Sequence, residues 1–235
     1  MIKLHQFPAA FGLPNGSPFC MKAETWLRLA GLKYEVVVTP DPRKAPHGKL
    51  PYIEDNGQLV PDSHDIIEHL EKAHKVNLDA GLSAQEKAVA HAYTRMLSEA
   101  TYFGLLYSRW VDQRYWPTVR AEYFGSLPPV VRSILPAIVN KQVKRDVYGQ
   151  GTGRLATEEI YARVAQDVQA IAEHLGAKPY FMGDKPTNVD ASVYAFVANM
   201  WEARLVTPLK EIVGRHKNLV AYCQRMRQRC FPELK

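Results

Sequence analysis

The chemistry of this chain is written in three short segments of its first third. Ser17-Pro18-Phe19-Cys20 stands where a helix starts: Ser is a favoured N-cap and Pro a favoured first helical residue. A helix N-terminus carries unpaired N–H groups and a partial positive charge, which stabilises a thiolate and lowers its pKa. Ser17 can donate its hydroxyl to such a thiolate, or serve only as a cap. Cys20 lies three residues on, the spacing of a Cys-x-x-Cys pair whose first member is Ser. No disulfide can form within it; one-thiol exchange needs Cys20 exposed, whereas a small buried residue packing helix on sheet is the preferred reading. Gly48-Lys49-Leu50-Pro51 ends on a Pro before a strand, a setting for a cis peptide bond that leaves the Leu50 backbone to pair with a peptide-like ligand, or for a plain strand-start Pro. Asp62-Ser63 opens another helix; it can cap that helix or receive a carboxylate on Ser63 and an ammonium on Asp62.

The elements that must position these segments follow from the pattern. Ile2–Phe7 reads as a strand. Phe19, Ala23, Trp26, Leu27 and Ala30 recur at helical spacing up to Gly31. Tyr34–Thr39 is continuous and β-branched, as a buried strand would be, and Pro40, Pro42 and Pro46 forbid a regular helix after it. Asn56-Gly57 between Tyr52–Asp55 and Gln58–Val60 marks a hairpin, and Ile66, Ile67, Leu70 and Ala73 a helix. Beyond Gly81 the period is helical throughout: Ser83–Val111 as one helix, with Phe103, Leu106 and Trp110 as a core stripe, then Thr157–Leu175, an almost wholly apolar Val189–Ala203 and a basic Leu219–Cys230. The boundary falls near residues 76–82, giving an α/β domain of 1–76 and an all-α domain of 82–235. It also divides the charge: residues 1–80 carry a net −1 and the rest +7.

Composition narrows the class. With 46% hydrophobic and 23% charged residues the chain is globular, and three cysteines cannot build a disulfide framework, which points to a reducing, cytoplasmic setting. No apolar run is long enough for a membrane span, and no secretory signal is visible. His64, His69 and His74 are five residues apart and do not share a helix face, so no metal site is expected. Arg225, Arg227 and Arg229 alternate around a helix, a solvated surface rather than a nucleic-acid contact.

Taken together, Ser17 to Lys22, Gly48 to Pro51, Asp62 to Ile67, Tyr148 to Arg154 and Phe181 to Ala191 resemble the cytosolic glutathione S-transferases over essentially the full length, in the branch related to the failed-axon-connections proteins and, more distantly, metaxins. The resemblance implies a thioredoxin-like domain followed by an all-α domain. It implies a catalytic Ser17 that stabilises the thiolate of glutathione, and a cis-Pro51 with Leu50 pairing the cysteinyl part. Asp62 and Ser63 would hold the γ-glutamyl end, and Lys49 or Lys44 the glycyl end, where the usual helix is shortened. Thr187 and Asp190 match a capping box with a folding role. One or two of Tyr102, Phe103, Tyr107 and Trp110 would face the electrophile pocket. The expected activity is transfer of glutathione to an electrophilic small molecule, as in detoxification, by a homodimer without a metal, a membrane span or a nucleic-acid partner. Two rivals are a non-catalytic adaptor of the same fold and a glutathione-dependent thiol–disulfide exchanger using Cys20.

Overall fold

The computed structural model describes residues 1–234. Its first part runs β1 (Ile2–Gln6), α1 (Pro18–Leu29), β2 (Tyr34–Val38), β3 (Tyr52–Asp55), β4 (Gln58–Pro61) and α2 (Ser63–His74). The strands form one sheet in the order β2-β1-β3-β4, with β2 parallel to β1 and the other pairs antiparallel. Asn56 and Gly57 both take positive φ, 49° and 82°, as a two-residue turn between Asp55 and Gln58 requires. A single 3-10 turn, Pro42–Lys44, is all the helix that the proline-rich stretch permits. β2 departs from the expectation of a buried strand: it is an edge, with Val36 and Val38 39% and 57% exposed. A continuous apolar run signals burial only when both flanks are covered, and β2 has one neighbour.

The second part comprises α3 (Ala84–Met96), α4 (Tyr102–Trp110), α5 (Trp116–Phe124), α6 (Pro129–Gln150), α7 (Thr157–Leu175), α8 (Asn188–Trp201), α9 (Pro208–Gly214) and α10 (Lys217–Cys230). The helix expected as continuous over Ser83–Val111 is broken by a π turn at Leu97–Thr101, where the Thr101 hydroxyl donates to Asp167 at 2.7 Å and also reaches the Met96 carbonyl. The extra residue in that turn re-aims everything after it. The buried face of α4 is therefore Gly104, Leu105, Ser108 and Arg109, while Phe103, Leu106 and Trp110, the expected stripe, are only half-buried. Gly104 lets α4 approach α7, since a Cβ there would lie 2.2 Å from a Val164 methyl.

α8 is buried from Val189 to Met200 and lies at the centre. It packs against α1, which is buried from Cys20 to Leu27 between the sheet and the helical part. On the sheet side Ala23, Trp26 and Leu27 join Ile2, Leu4, Ile53, Ile66 and Leu70. Each such buried aliphatic side chain contributes about 1.5–3 kcal/mol. The α8 start is locked by the capping box: Asp190 accepts from the Thr187 amide at 2.8 Å and hydroxyl at 3.0 Å. It also accepts from the Phe181 amide (2.8 Å) and the Tyr222 hydroxyl (2.9 Å).

Two of the three histidines of α2 depart from the spacing argument. His69 and His74 both meet Asp55 Oδ2 at 3.0 Å, because long side chains from successive turns converge on one carboxylate; His64 turns outward to Glu68. Burial opposes the Asp55 charge, but the two imidazoles prevail and hold its carboxyl below its ordinary value. Among the described residues, no group of three or more His, Cys, Asp or Glu is disposed to hold a metal ion, and no helix is long and apolar enough to cross a membrane.

Replacing Asp190 by Ala strands the Phe181 amide, leaves the Tyr222 hydroxyl only the residue-190 carbonyl at 3.3 Å, and should cost roughly 2–4 kcal/mol in denaturant unfolding. Thr187→Ala removes only the cap and should cost about 1 kcal/mol; equal losses in the two variants would contradict the network.

Candidate functional site

Ser17 caps α1 with extended backbone (φ −90°, ψ 120°), and Pro18 follows in the first turn. Its Oγ accepts a long bond, 3.4 Å, from the Cys20 amide; the Ser17 amide is bonded to Asn15, Pro18 has no N–H, and the Phe19 amide is the first-turn donor left for an external anion among the described residues. Ser17 is half-buried, with access to solvent. The loop before it is held rigidly. Asn15, fully buried, donates to the Phe7 carbonyl at 2.6 Å and accepts from the Ser17 amide at 2.9 Å. The Gly16 carbonyl accepts from Arg109 at 2.6 Å and, more weakly, from the Tyr123 hydroxyl at 3.5 Å. Arg109 also donates to the carbonyl and side-chain oxygen of Asn199, in α8, and lies 5.0 Å from the Phe11 ring. The helical part thus clamps the loop that presents Ser17.

Cys20 points the other way. It is fully buried with Ala45 and Leu50, and burial pushes its thiol up to about 12. A neutral, enclosed thiol is a packing group, which weighs against exchange chemistry at this position.

The other two segments meet the sequence expectations in geometry. The Leu50–Pro51 peptide is cis, and neither the N–H nor the C=O of Leu50 bonds another described residue. Lys49 and Lys44 are exposed, and neither makes an ion pair with another described residue. Asp62, at φ 68°, caps α2 by accepting from the His64 amide at 2.8 Å, and its own amide donates to the Pro51 carbonyl at 3.2 Å. That last bond ties the second segment to the third. Ser63 is buried, and its hydroxyl makes no hydrogen bond with another described residue.

The aromatic residues of α4 do not gather in one place. Tyr102 packs edge-on against Phe19 (4.8 Å) and Phe196 (6.5 Å), and burial raises its hydroxyl to about 12. Phe103 touches Tyr102, and Trp110 stacks on Tyr123 at 5.5 Å. Tyr107 faces α7 instead, bonding Thr157 at 2.7 Å. Tyr102 and the Trp110–Tyr123 pair therefore approach the Ser17 loop, and Tyr107 does not.

A profile of the glutathione S-transferase N-terminal domain matches residues 18–115, and one of the C-terminal domain matches residues 164–226. An isoprene-epoxide glutathione S-transferase of Rhodococcus is 33% identical over 97% of this chain and 98% of its own length. The chain belongs to the glutathione S-transferase family. Failed axon connections of Drosophila melanogaster is 32% identical over 99% of this chain, which spans 59% of the length of that protein. A glutathione S-transferase of Ceriporiopsis subvermispora, solved in complex with glutathione, shares the fold, with a TM-score of 0.63 at 19% identity over 96% of this chain and 97% of that one.

Two site residues escape the motif reading. One is Arg109, a lone charge in an aromatic run, which was its only signal. The other is Lys22, in the apolar face of α1. Lys22 is 3% exposed and makes no hydrogen bond or ion pair with another described residue. Burial lowers its ammonium to about 8, with Asp62 and Asp65 at the α2 start opposing and Arg95 assisting. In the unfolded chain a Lys titrates near 10.4, so between about pH 8 and 10 the unfolded state binds more protons, and stability must rise with pH. The melting temperature of wild type relative to Lys22→Met should therefore climb across that window, with the variant the more stable of the two at pH 7; a constant difference would show that Lys22 is not buried as a cation.

Proposed function

We propose that the protein is a glutathione transferase of the Ser type, acting on a small electrophile. The observation that carries this reading is the convergence of three unfilled polar features: the α1 N-terminus at Ser17, the unpaired Leu50 backbone, and the α2 N-terminus with the Ser63 hydroxyl free. They match in kind a thiolate, a peptide group and an amino-acid carboxylate. Lys22 adds a buried positive charge within electrostatic reach of the α2 start, and a buried cation without a partner favours an anionic ligand. Asp62 keeps its second carboxylate oxygen for an ammonium group, and the exposed Lys49 would meet the glycyl carboxylate.

In this mechanism the glutathione thiol gives its proton to solvent. The Ser17 hydroxyl and the Phe19 amide at the α1 N-terminus hold the thiolate, favouring that form near neutral pH. The sulfur attacks an electrophilic carbon. A C–S bond forms as the carbon–leaving-group bond breaks, or, for an epoxide, as the C–O bond opens and the oxygen takes a proton from water. The Rhodococcus relative, named for an isoprene epoxide, makes a small epoxide the electrophile to try first. The Arg109 clamp on Gly16 fixes where Ser17 points, which is a positioning role. A homodimer and a cytoplasmic location belong to the same proposal.

Conjugation of 1-chloro-2,4-dinitrobenzene and of a small epoxide, with glutathione-affinity retention, tests it. Ser17→Ala should lower kcat/KM by roughly 10- to 100-fold, the value of one hydrogen bond to a charged group. Cys20→Ala should change it little, and Lys22→Met should raise the KM for glutathione more than it lowers kcat. Retention without turnover would leave the adaptor reading. Activity that survives Ser17→Ala and dies in Cys20→Ala would establish the exchanger.

A further inference from the structure

The two ends of the proposed glutathione site are built very unequally. On the glycyl side, residues 40–49 form only loop and the 3-10 turn Pro42–Lys44. The cations there face water: Lys44, His47 and Lys49 are exposed, and Arg43 already pairs with Asp41 at 2.8 Å. An ion pair formed in water strengthens binding by about fivefold at most. The γ-glutamyl side is different. Lys22 is 3% exposed and makes no ion pair with another described residue. Side chains of a helix lean toward its N-terminus, so the Lys22 stem runs back over the turn of α1 that begins at Pro18. Asp62 and Asp65 at the α2 start attract its charge, and Arg95 of α3 repels it, so the ammonium is enclosed where these three elements meet. The hydroxyl of Ser63, buried at the same α2 start, is likewise without a bond to another described residue. A cation already held out of water binds a matching carboxylate far more strongly than an exposed one does.

We propose that this site selects its thiol as γ-glutamylcysteine, with Lys22 the specificity-determining residue at the γ-glutamyl carboxylate and the glycine of glutathione dispensable. The inference rests on the site proposed above and names what that site reads. The α-carboxylate that suits Lys22 and Ser63, and the α-amine that suits Asp62, both belong to the γ-glutamyl group. The two cysteinyl groups that can pair with the Leu50 backbone, an amide N–H and a carboxyl-side oxygen, are present before glycine is attached. Glycine adds one peptide bond and moves the terminal carboxylate outward, among the exposed lysines. The dipeptide therefore keeps every group that meets an enclosed partner. Cysteinylglycine keeps the thiol and the glycyl carboxylate but loses everything that Lys22, Ser63 and Asp62 would hold. Lys22 acts on the far end of the ligand from the sulfur, so it sets which thiol binds and not how the sulfur reacts.

The test titrates the full chain with S-methylglutathione, S-methyl-γ-glutamylcysteine and S-methylcysteinylglycine, followed by ligand-observed NMR. Methylation removes thiol ionisation, so the comparison reads recognition alone. Wild type should bind the γ-glutamyl dipeptide within about fivefold of the tripeptide, the value of one exposed pair. It should bind S-methylcysteinylglycine at least about a hundredfold more weakly. Lys22→Met should weaken both γ-glutamyl ligands by roughly a hundredfold and leave S-methylcysteinylglycine where it was. Lys49→Ala should weaken S-methylglutathione by about fivefold at most. Circular dichroism checks that each variant is folded. A larger gap between dipeptide and tripeptide in wild type would overturn the proposal. So would a Lys22→Met variant that loses all three ligands alike, or none of them. Binding in the expected order with no conjugation of 1-chloro-2,4-dinitrobenzene would overturn the transferase reading and leave this one standing. If neither γ-glutamyl ligand binds, both fall.

Discussion

The rest of the structure depends on how α8 begins. Its first turn joins the sheet part, the helical part and the C-terminal helix by hydrogen bonds. Asn188 accepts from the Trp26 indole at 2.7 Å and donates to Glu71 and Asp79, while Asp190 gathers Thr187, Phe181 and Tyr222. A buried carboxylate is tolerated only when its acceptor capacity is filled, and here amides and hydroxyls fill it. Because α8 is apolar on nearly every face, its direction is set by this polar anchor. Burial alone would let it rotate.

The proposed site inherits its geometry from that anchor. α8 carries Asn199, Asn199 orients Arg109, and Arg109 grips the carbonyl next to Ser17. The sheet part supplies the functional groups, through two helix starts and one unpaired stretch of backbone, but the helical part fixes the loop that presents the first of them. The charge division has the same logic. In the proposed function the near-neutral first part would attract an anion by N–H groups and one enclosed ammonium, and the excess positive charge belongs to the second part.

Much of this was legible in the sequence, and the limits are physical. Caps and turns are local, so Ser17-Pro18, Asn56-Gly57, Asp62 and the Thr187–Asp190 box could be placed from residue type and spacing. The burial of β2 could not, since a strand's own residues do not reveal how many neighbours it has. Nor could the π turn, which arises where Thr101 reaches Asp167, 66 residues away. Lys22 and Arg109 were missed for a related reason: a charge in an apolar helix reads as its solvent edge until a second layer covers it. His69 and His74 show the converse, where side-chain reach overcomes the helical wheel. The unpaired Leu50 backbone and the free Ser63 hydroxyl are properties of what is not bonded, which sequence does not encode.

The π turn at Leu97–Thr101 also bears on how this helix could have arisen and how it can change. A helix that has absorbed one surplus residue turns every later side chain by about 100° relative to an uninterrupted one. Arg109 lies beyond that point, so a single-residue deletion upstream would swing its guanidinium away from Gly16 while leaving the composition of the site untouched. For this chain, insertions and deletions within α3–α4 are changes of aim. A comparison of related chains by identity at Ser17 alone would overlook the register that decides where Ser17 points.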